Sequence, residues 1–393
     1  MTNSITKDKF SQSIDSLKPL WEYARQKKIK KPEKQPALHK IYATLKGKIL
    51  VAAQKRVPSR MLQTVIQYGN DELVSELFKE IRSEITQLAR MNFGRFIIGR
   101  LMKRSVSYRK SVLNNLQFGK LATDRIGVTV ADEGYSLMSK EEKDIVIKGM
   151  SSGEVNIFYD TKKLEEIPSD KLDFNRILTK AIGKGVTNHG IIHDLLFYSG
   201  DCREELLEYL VDLLHTENGV IVANRVLDKY CWGDNGKDKL RSVLRSFKPY
   251  FSKIIQDRNG VCIILKIMLM GDKEIVRKYV IRRMKERVDD LFVGIESALP
   301  LLFLLNQNDK LYPKLFSSKI KGECGFIENF KYYYEYIRRR VERYIGKKGE
   351  ELVNGELSYV VYEILKHMEN KGEAFTWAMQ IDGNPDEFFK LIN

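Results

Sequence analysis

The stretch from Lys46 to Gly69, KGKILVAAQKRVPSRMLQTVIQYG, holds the residues whose types and spacing suggest a specific chemistry. It reads as two helices broken at Pro58, the second carrying Ser59, Arg60 and, four residues after Ser59, Gln63. Residues four apart share one helix face, so a small hydroxyl, a planar cation and an amide project side by side. Helical repeats that read RNA use this arrangement: the first and fifth positions meet a base edge and the second stacks between bases. The competing reading is an N-cap serine followed by solvated Arg60 and Gln63, and this segment alone leaves both open.

Such residues need a scaffold that repeats. From Leu38 onward apolar residues recur three and four apart, helix after helix, with almost no strand-like alternation. Ser59 is followed 36 residues later by Arg95 in FGRFIIG, at the same place relative to a preceding helix. Corresponding points recur at Asp124, Glu154, His189, Val220 and Val261, several beside a glycine. Spacings of about 30 to 40 residues with a glycine-punctuated second helix mark an α-solenoid of stacked helical hairpins. Before it, Leu17 to Lys31 reads as a helix anchored by Leu20, Trp21 and Tyr23, after a polar and loosely held start.

Charge singles out the same end of the chain. Residues 1–110 hold 24 Lys and Arg against 9 Asp and Glu, whereas the remainder holds 43 of each. A cationic front on a neutral body implies an anionic partner engaged mainly there. The run Arg25, Lys27, Lys28, Lys30, Lys31 and Lys34 fits an import signal, an RNA-contacting arm or a solvated face. Later segments, Val276 to Val288 and Phe330 to Lys348, interleave arginines with tyrosines, which suits either a stacking and phosphate surface or ordinary solenoid helices; the second is the preferred reading.

Other classes are disfavoured. No apolar run reaches the roughly 18 residues of a membrane span, and the start lacks a signal-peptide core, so an intracellular protein without a membrane partner is expected. Cys202, Cys231, Cys262 and Cys324 form no CxxC pair, which argues against a disulfide framework or zinc ribbon. His189 and His193 lie four apart without a third ligand. No P-loop or HExxH pattern occurs, so no catalytic residue, metal or cofactor is expected.

SRMLQ resembles the five-residue reading motif of a Pumilio repeat. Together, WEYARQKK, the 46–69 segment and FGRFIIGRLMKRS are similar to the start of the Pumilio-repeat proteins of the nucleolar Puf-A branch. TENGVIVANRVL, DRNGVCIILKIMLMGDK and the tail from Glu350 extend the likeness over most of the chain. The resemblance implies an all-α, right-handed α-solenoid of Pumilio-type repeats, straight or bent into two arms. Its expected division is a basic extension at 1–37, N-terminal repeats at 38–180 and divergent C-terminal repeats at 181–393. It further implies residence in the nucleus and nucleolus, and ribosomal RNA processing for the large subunit. The implied partners of this monomer are pre-ribosomal RNA, with DNA in vitro, and pre-60S particles or a ribosomal protein.

Carried over residue by residue, the motif survives once. Ser59, Arg60 and Gln63 match the adenine-reading set. The second repeat offers Arg95, Phe96 and Gly99, where Phe96 can stack and Gly99 has no side chain to pair. Then come Asp124, Arg125 and Val128; Glu154, Val155 and Phe158; His189, Gly190 and His193; Val220, Ile221 and Asn224; Val261, Cys262 and Leu265. None is a base code. Phosphate contacts need only cations on one face, and Lys46, Lys48, Lys55, Arg56, Arg60, Arg90, Arg95, Arg100, Lys103 and Arg104 stand where the first repeats would present them. The expectation is a salt-sensitive RNA binder with weak sequence preference. A sequence-specific messenger-RNA repressor and a protein-binding scaffold are the alternatives.

Overall fold

The computed structural model describes residues 2–152, 173–306, 327–353 and 356–367, and among them the chain is helical without a strand. The repeat point at Glu154, Val155 and Phe158, along with Cys324 and most of the tail after Glu350, lies outside the described residues. The chain divides into two compact units, Met1–Leu195 and Leu196–Asn393.

The first unit runs α1 (Thr2–Arg25), α2 (Lys31–Leu45), α3 (Ile49–Ala53), α4 (Arg56–Tyr68), α5 (Asp71–Ile81), α6 (Ile85–Ala89) and α7 (Gly94–Arg104). It continues through α8 (Val106–Leu113), α9 (Phe118–Leu121), α10 (Gly127–Ser136), α11 (Lys140–Ser152), α12 (Asn175–Gly183) and α13 (Gly190–Ser199), in which the division between the units falls. Three modules share one plan, a short helix, a middle helix and a third helix: α3-α4-α5, α6-α7-α8 and α9-α10-α11. The middle helices α4, α7 and α10 pack side by side. On the third helices, Phe78 of α5 meets Tyr108 of α8 edge-on at 5.6 Å.

Local chemistry explains where the helices start. Asn70 accepts from the Leu73 N–H to cap α5, and Ser105 does the same for α8 through the Tyr108 N–H. Ser139 and Glu142 exchange bonds with each other's backbone N–H at the start of α11, a capping box. The break expected at Pro58 falls instead at Gln54 and Lys55, with Pro58 inside the first turn of α4. A first-turn N–H has no intrahelical acceptor, so proline loses nothing there.

The N-terminal residues form a packed layer. α1 begins at Thr2, and α1 and α2 pack on each other and on α4. The buried stripe of α1 is Ile14, Leu17 and Ala24, whereas Tyr23 is exposed and Leu20 half-buried. Trp21 binds through its indole, donating to Thr64 Oγ1 on α4 at 2.8 Å. Lys34, counted in the basic run, is buried, with its ammonium 4.1 Å from the centre of the Tyr68 ring.

The second unit runs α14 (Leu210–Leu213), α15 (Glu217–Tyr230), α16 (Lys237–Phe247), α17 (Phe251–Gln256), α18 (Arg258–Met270), α19 (Lys273–Val276), α20 (Arg282–Glu286), α21 (Ile295–Leu305), α22 (Ile327–Val353) and α23 (Ser358–Lys366). α18 is buried from Gly260 to Leu269 by α15, α17 and α21, a helix with almost no wet face. Its one buried cation, Lys266, pairs with Asp228 of α15 at 2.7 Å.

The recurring glycines have a steric cause. A Cβ on Gly260 would stand 2.6 Å from the carbonyl oxygen of Ile254 in α17, and one on Gly94 would collide with the carbonyl of Leu88 in α6. At each point the short helix abuts the first turn of the middle helix, backbone on backbone. In an exposed helix interior, Gly→Ala stabilises by about 1 kcal/mol. Here the sign should reverse: Gly260→Ala is expected to lower the unfolding free energy by about 1–3 kcal/mol, as overpacking does. A urea midpoint that stays put or rises would refute the close-approach account.

Candidate nucleic-acid interface

The middle helices of the first two modules carry the polar stripe. On α4, Arg56, Arg60, Gln63 and Gln67 fall four, three and four residues apart and stay wet, while Met61, Leu62, Val65 and Ile66 fill the other side. On α7, Phe96, Arg100 and Lys103 form the matching stripe, with Ile97, Ile98, Leu101 and Met102 buried. Gln63, Arg95, Phe96, Arg100, Lys103 and Glu133 line a groove of about 350 Å³ bridging α4, α7 and α10. A wider groove of about 650 Å³ includes Lys31, Gln67, Arg100, Lys103, Arg104 and Tyr108. Arg100 and Lys103 stand in both, so the two grooves flank one cationic ridge.

The candidate cations divide by what they touch. Among the described residues Lys48, Arg56, Arg60 and Arg100 have no ion pair, and of these Arg56, Arg60 and Arg100 stand on the α4–α7 face. Lys103 pairs with Glu133 at 2.7 Å, and Lys55 lies over the Phe10 ring at 5.2 Å. Lys46 is away from the grooves, 3.4 Å from Glu76 on α5. Arg90 pairs with Asp124 at 3.0 Å. Arg104 is spent internally: it donates to the carbonyls of Ile66 and Gly69, which end α4, and to Asp71 at 2.7 Å. That bond and charge hold the Asp71 carboxyl below its usual range.

The reading positions prove mostly structural. Ser59 is fully buried, donating to the Phe93 carbonyl at 2.8 Å and accepting from Gln63 Nε2 at 3.1 Å. Gly99 lines the smaller groove, and an added Cβ there would stand 3.3 Å from Glu133 Oε2, a tight contact with the end of that side chain. Phe96 is 48% exposed, and the Arg95 guanidinium lies 4.7 Å from its ring centre, with the Arg95 Nε–H buried and unpaired among the described residues.

Further along the first unit, Asp124 caps α10 through the Ile126 and Gly127 N–H groups, Arg125 donates to the Lys184 carbonyl, and Val128 is core. Burial alone would raise the Asp124 carboxyl, but the Gly127 N–H and Arg90 outweigh it and hold it low. His193 is buried with Nε2 2.8 Å from the Thr187 carbonyl, and His189 Nδ1 lies 3.5 Å from Asp132. No cluster able to hold a metal occurs among the described residues. In the second unit Val220, Val261, Cys262 and Leu265 are core, and burial pushes the Cys262 thiol up to about 12. No helix among the described residues is long and apolar enough to cross a membrane.

Lys31, Gln67 and Tyr108 were missed as groove residues. Gln67 carries a legible signal, four residues after Gln63 on the same stripe; Tyr108 has none, because it arrives from α8.

No family model matches the chain. It is 23% identical to Pumilio homolog 24 of Arabidopsis thaliana, over 75% of this chain and 50% of that protein. It is 22% identical to Pumilio homolog 3 of Homo sapiens, over 74% and 48%, and 22% identical to Pumilio homology domain family member 6 of Saccharomyces cerevisiae, over 80% and 51%. The chain thus spans about half the length of the curated relatives it matches. Among solved structures, human Puf-A superposes with a TM-score of 0.73 at 18% identity, over 90% of this chain and 75% of that one. Human Puf-A in complex with DNA gives 0.73 at 17%, over 94% and 79%. The fold is therefore that of the α-solenoids built from Pumilio repeats. Within that class the chain is similar in fold to human Puf-A.

The division of labour between Arg104 and Arg100 can be checked. Arg104→Met strands the terminal carbonyls of α4 and should cost about 1.5–3 kcal/mol, as expected for bonds to a charged group. Arg100→Met, on the open ridge, should stay within about 0.5 kcal/mol. Equal urea midpoints for the two variants would remove the capping role.

Proposed function

We propose that the chain binds RNA through its sugar-phosphate backbone along the α4–α7 face, with weak sequence preference. The observation that carries this reading is that Arg56, Arg60 and Arg100 stand on that face without a carboxylate partner among the described residues. Unneutralised cations on an open face raise the local anion concentration and gain free energy by releasing counterions from a polyanion. The exposed Phe96 ring adds a platform on which any base can stack. An acceptor oxygen entering beside it could satisfy the Arg95 Nε–H after a small rotation of the side chain.

Weak specificity follows from the other repeats. A literal code gains discrimination only when most repeats present readers, and Val128, Val220, Val261 and Leu265 are core instead. A messenger-RNA repressor with a defined site is therefore disfavoured. The nucleic-acid reading is also supported by human Puf-A having been solved with DNA. On the family resemblance we further assign the protein to the nucleus and nucleolus, to ribosomal RNA processing and to large-subunit assembly. There, as a monomer, it would hold pre-ribosomal RNA on a pre-60S particle, beside a ribosomal protein, until assembly advances. It would do so as a chaperone, without catalysis, cofactor or membrane.

Filter binding with RNA homopolymers, one structured RNA and DNA at two salt concentrations tests the core of this. Steep salt dependence with little base preference is expected. Arg56→Glu with Arg60→Glu should weaken every sequence and lower the salt slope by about 1.4 on single strands, two contacts at about 0.7 each. Gln63→Ala should act at one nucleotide position at most. A strong base preference would favour the repressor, and no binding at either salt a protein scaffold.

A further inference from the structure

The second unit carries a cationic face of its own, on α22. The buried side of that helix is apolar: Phe330, Tyr333, Tyr334, Ile337, Val341 and Ile345 recur three and four apart. The opposite side presents Tyr336, Arg339, Arg340, Arg343 and Lys347, at steps of three, four, seven and eleven from the tyrosine. Arg338 and Lys348, on the same helix but off this face, are neutralised. Arg338 has Glu335 at 3.5 Å and Glu342 at 3.9 Å, and Lys348 has Glu351 at 2.9 Å. None of Arg339, Arg340, Arg343 and Lys347 has a carboxylate partner among the described residues.

Folding does not ask for this arrangement. Arg339 with Arg343, and Arg343 with Lys347, are like charges four residues apart, and such pairs destabilise a helix by about 0.2–0.5 kcal/mol each. Among the described residues no carboxylate pairs on this face to repay that cost. The face also continues onto the neighbouring elements: Lys285 of α20 stands 4.2 Å from the centre of the Tyr336 ring, and the guanidinium of Arg277, itself paired with Glu274 at 2.7 Å, 5.6 Å from it. Tyr336 thus joins two sets of cations beside one aromatic ring. From Arg339 to Lys347 the row spans about 12 Å of helix axis, at 1.5 Å per residue.

We infer that this α22 face is a second contact for the nucleic-acid backbone, separate from the α4–α7 grooves and lacking any base-reading group. The inference rests on the reading that the chain binds RNA. Two contacts carried by different units of one chain raise the effective concentration of the second once the first has formed, so the full chain holds long RNA more tightly than short RNA. The face is sequence-blind, since guanidinium and ammonium groups meet phosphates, no carboxamide stands among them, and the Tyr336 ring can stack on any base.

The test uses the full chain and poly(U) RNA, long and short, in salt titrations. Arg339→Gln, Arg340→Gln and Arg343→Gln together should leave the urea midpoint unchanged or slightly higher, because repulsion is removed. The same variant should lower the salt slope on long poly(U) by about 2, three contacts at about 0.7 each. Most of the affinity advantage of long over short RNA should go with it. Lys348→Gln, a neutralised neighbour, should change neither. An unaltered slope in the triple variant, with the Arg56 and Arg60 variant still impaired, would overturn the α22 face and leave the proposed function standing. The reverse pattern would overturn the α4–α7 reading and keep this one. If the triple variant loses binding to poly-glutamate competitor but not to RNA, the face serves an acidic protein and the inference fails.

Discussion

The constraint on which the architecture depends is the contact between backbones where a short helix meets the next middle helix. Helices with side chains between them can slide by a fraction of a turn and repack; a carbonyl lying against a glycine cannot. At Gly94 and Gly260 the neighbouring carbonyls of Leu88 and Ile254 occupy the volume of a Cβ, so the middle helix is fixed in rotation as well as position. Fixing α7 in this way decides which of its residues face solvent. Phe96, Arg100 and Lys103 come out together, and the row meets the Arg56–Gln67 stripe of the adjacent α4. The groove is thus a consequence of glycine placement, even though glycine touches nothing that would be bound.

The same rigidity sorts the arginines. Arg104, Arg90 and Arg125 reach carbonyls or carboxylates on other elements and fasten modules to one another. They serve the fold, and their charge is largely spent on it. Arg60 and Arg100 come from equivalent helices, yet no acid lies within reach among the described residues. A surface pair contributes at most about 1 kcal/mol, so the fold loses little by leaving such cations open. In the second unit the middle helix α18 took the other course: almost every side is packed, and its one buried cation is matched by Asp228. A helix enclosed on all sides can carry weight in a core but cannot read a strand.

Much of this was legible in the sequence. Helical periodicity and the FGR, IGV and NGV glycines located the middle helices, because burial and close approach are imposed locally and leave a periodic trace. What escaped depended on partners distant along the chain. Ser59 looks like a surface hydroxyl until Phe93 of the next module supplies the carbonyl it binds. Lys34 reads as part of a basic run, but Tyr68, two helices later, takes its ammonium. Of the expected anchors of α1, Trp21 binds α4, whereas Leu20 is half-buried and Tyr23 exposed, and only the position of α4 decides between their side of the helix and that of Ile14 and Leu17.

Even the one repeat that matches a base-reading set is poorly placed to use it. Bidentate pairing with adenine uses Oε1 and one Nε2–H of the Gln63 amide, whose other Nε2–H is held by the buried Ser59 hydroxyl and so restricts how the amide can turn. An orientation toward the base that breaks this bond gives up a net contribution of about 0.5–1.5 kcal/mol. It also leaves Ser59 Oγ with one partner fewer in a site that water does not reach. A good bidentate contact discriminates by about 1–3 kcal/mol, a magnitude established for DNA base edges. Gain and loss are of the same order, so the match at 59–63 supplies little net selectivity, whereas the open guanidiniums of Arg60 and Arg100 surrender no bond when a phosphate arrives. The balance of what each side chain must release, more than which side chains are present, tilts this surface toward the backbone of a nucleic acid and away from its bases.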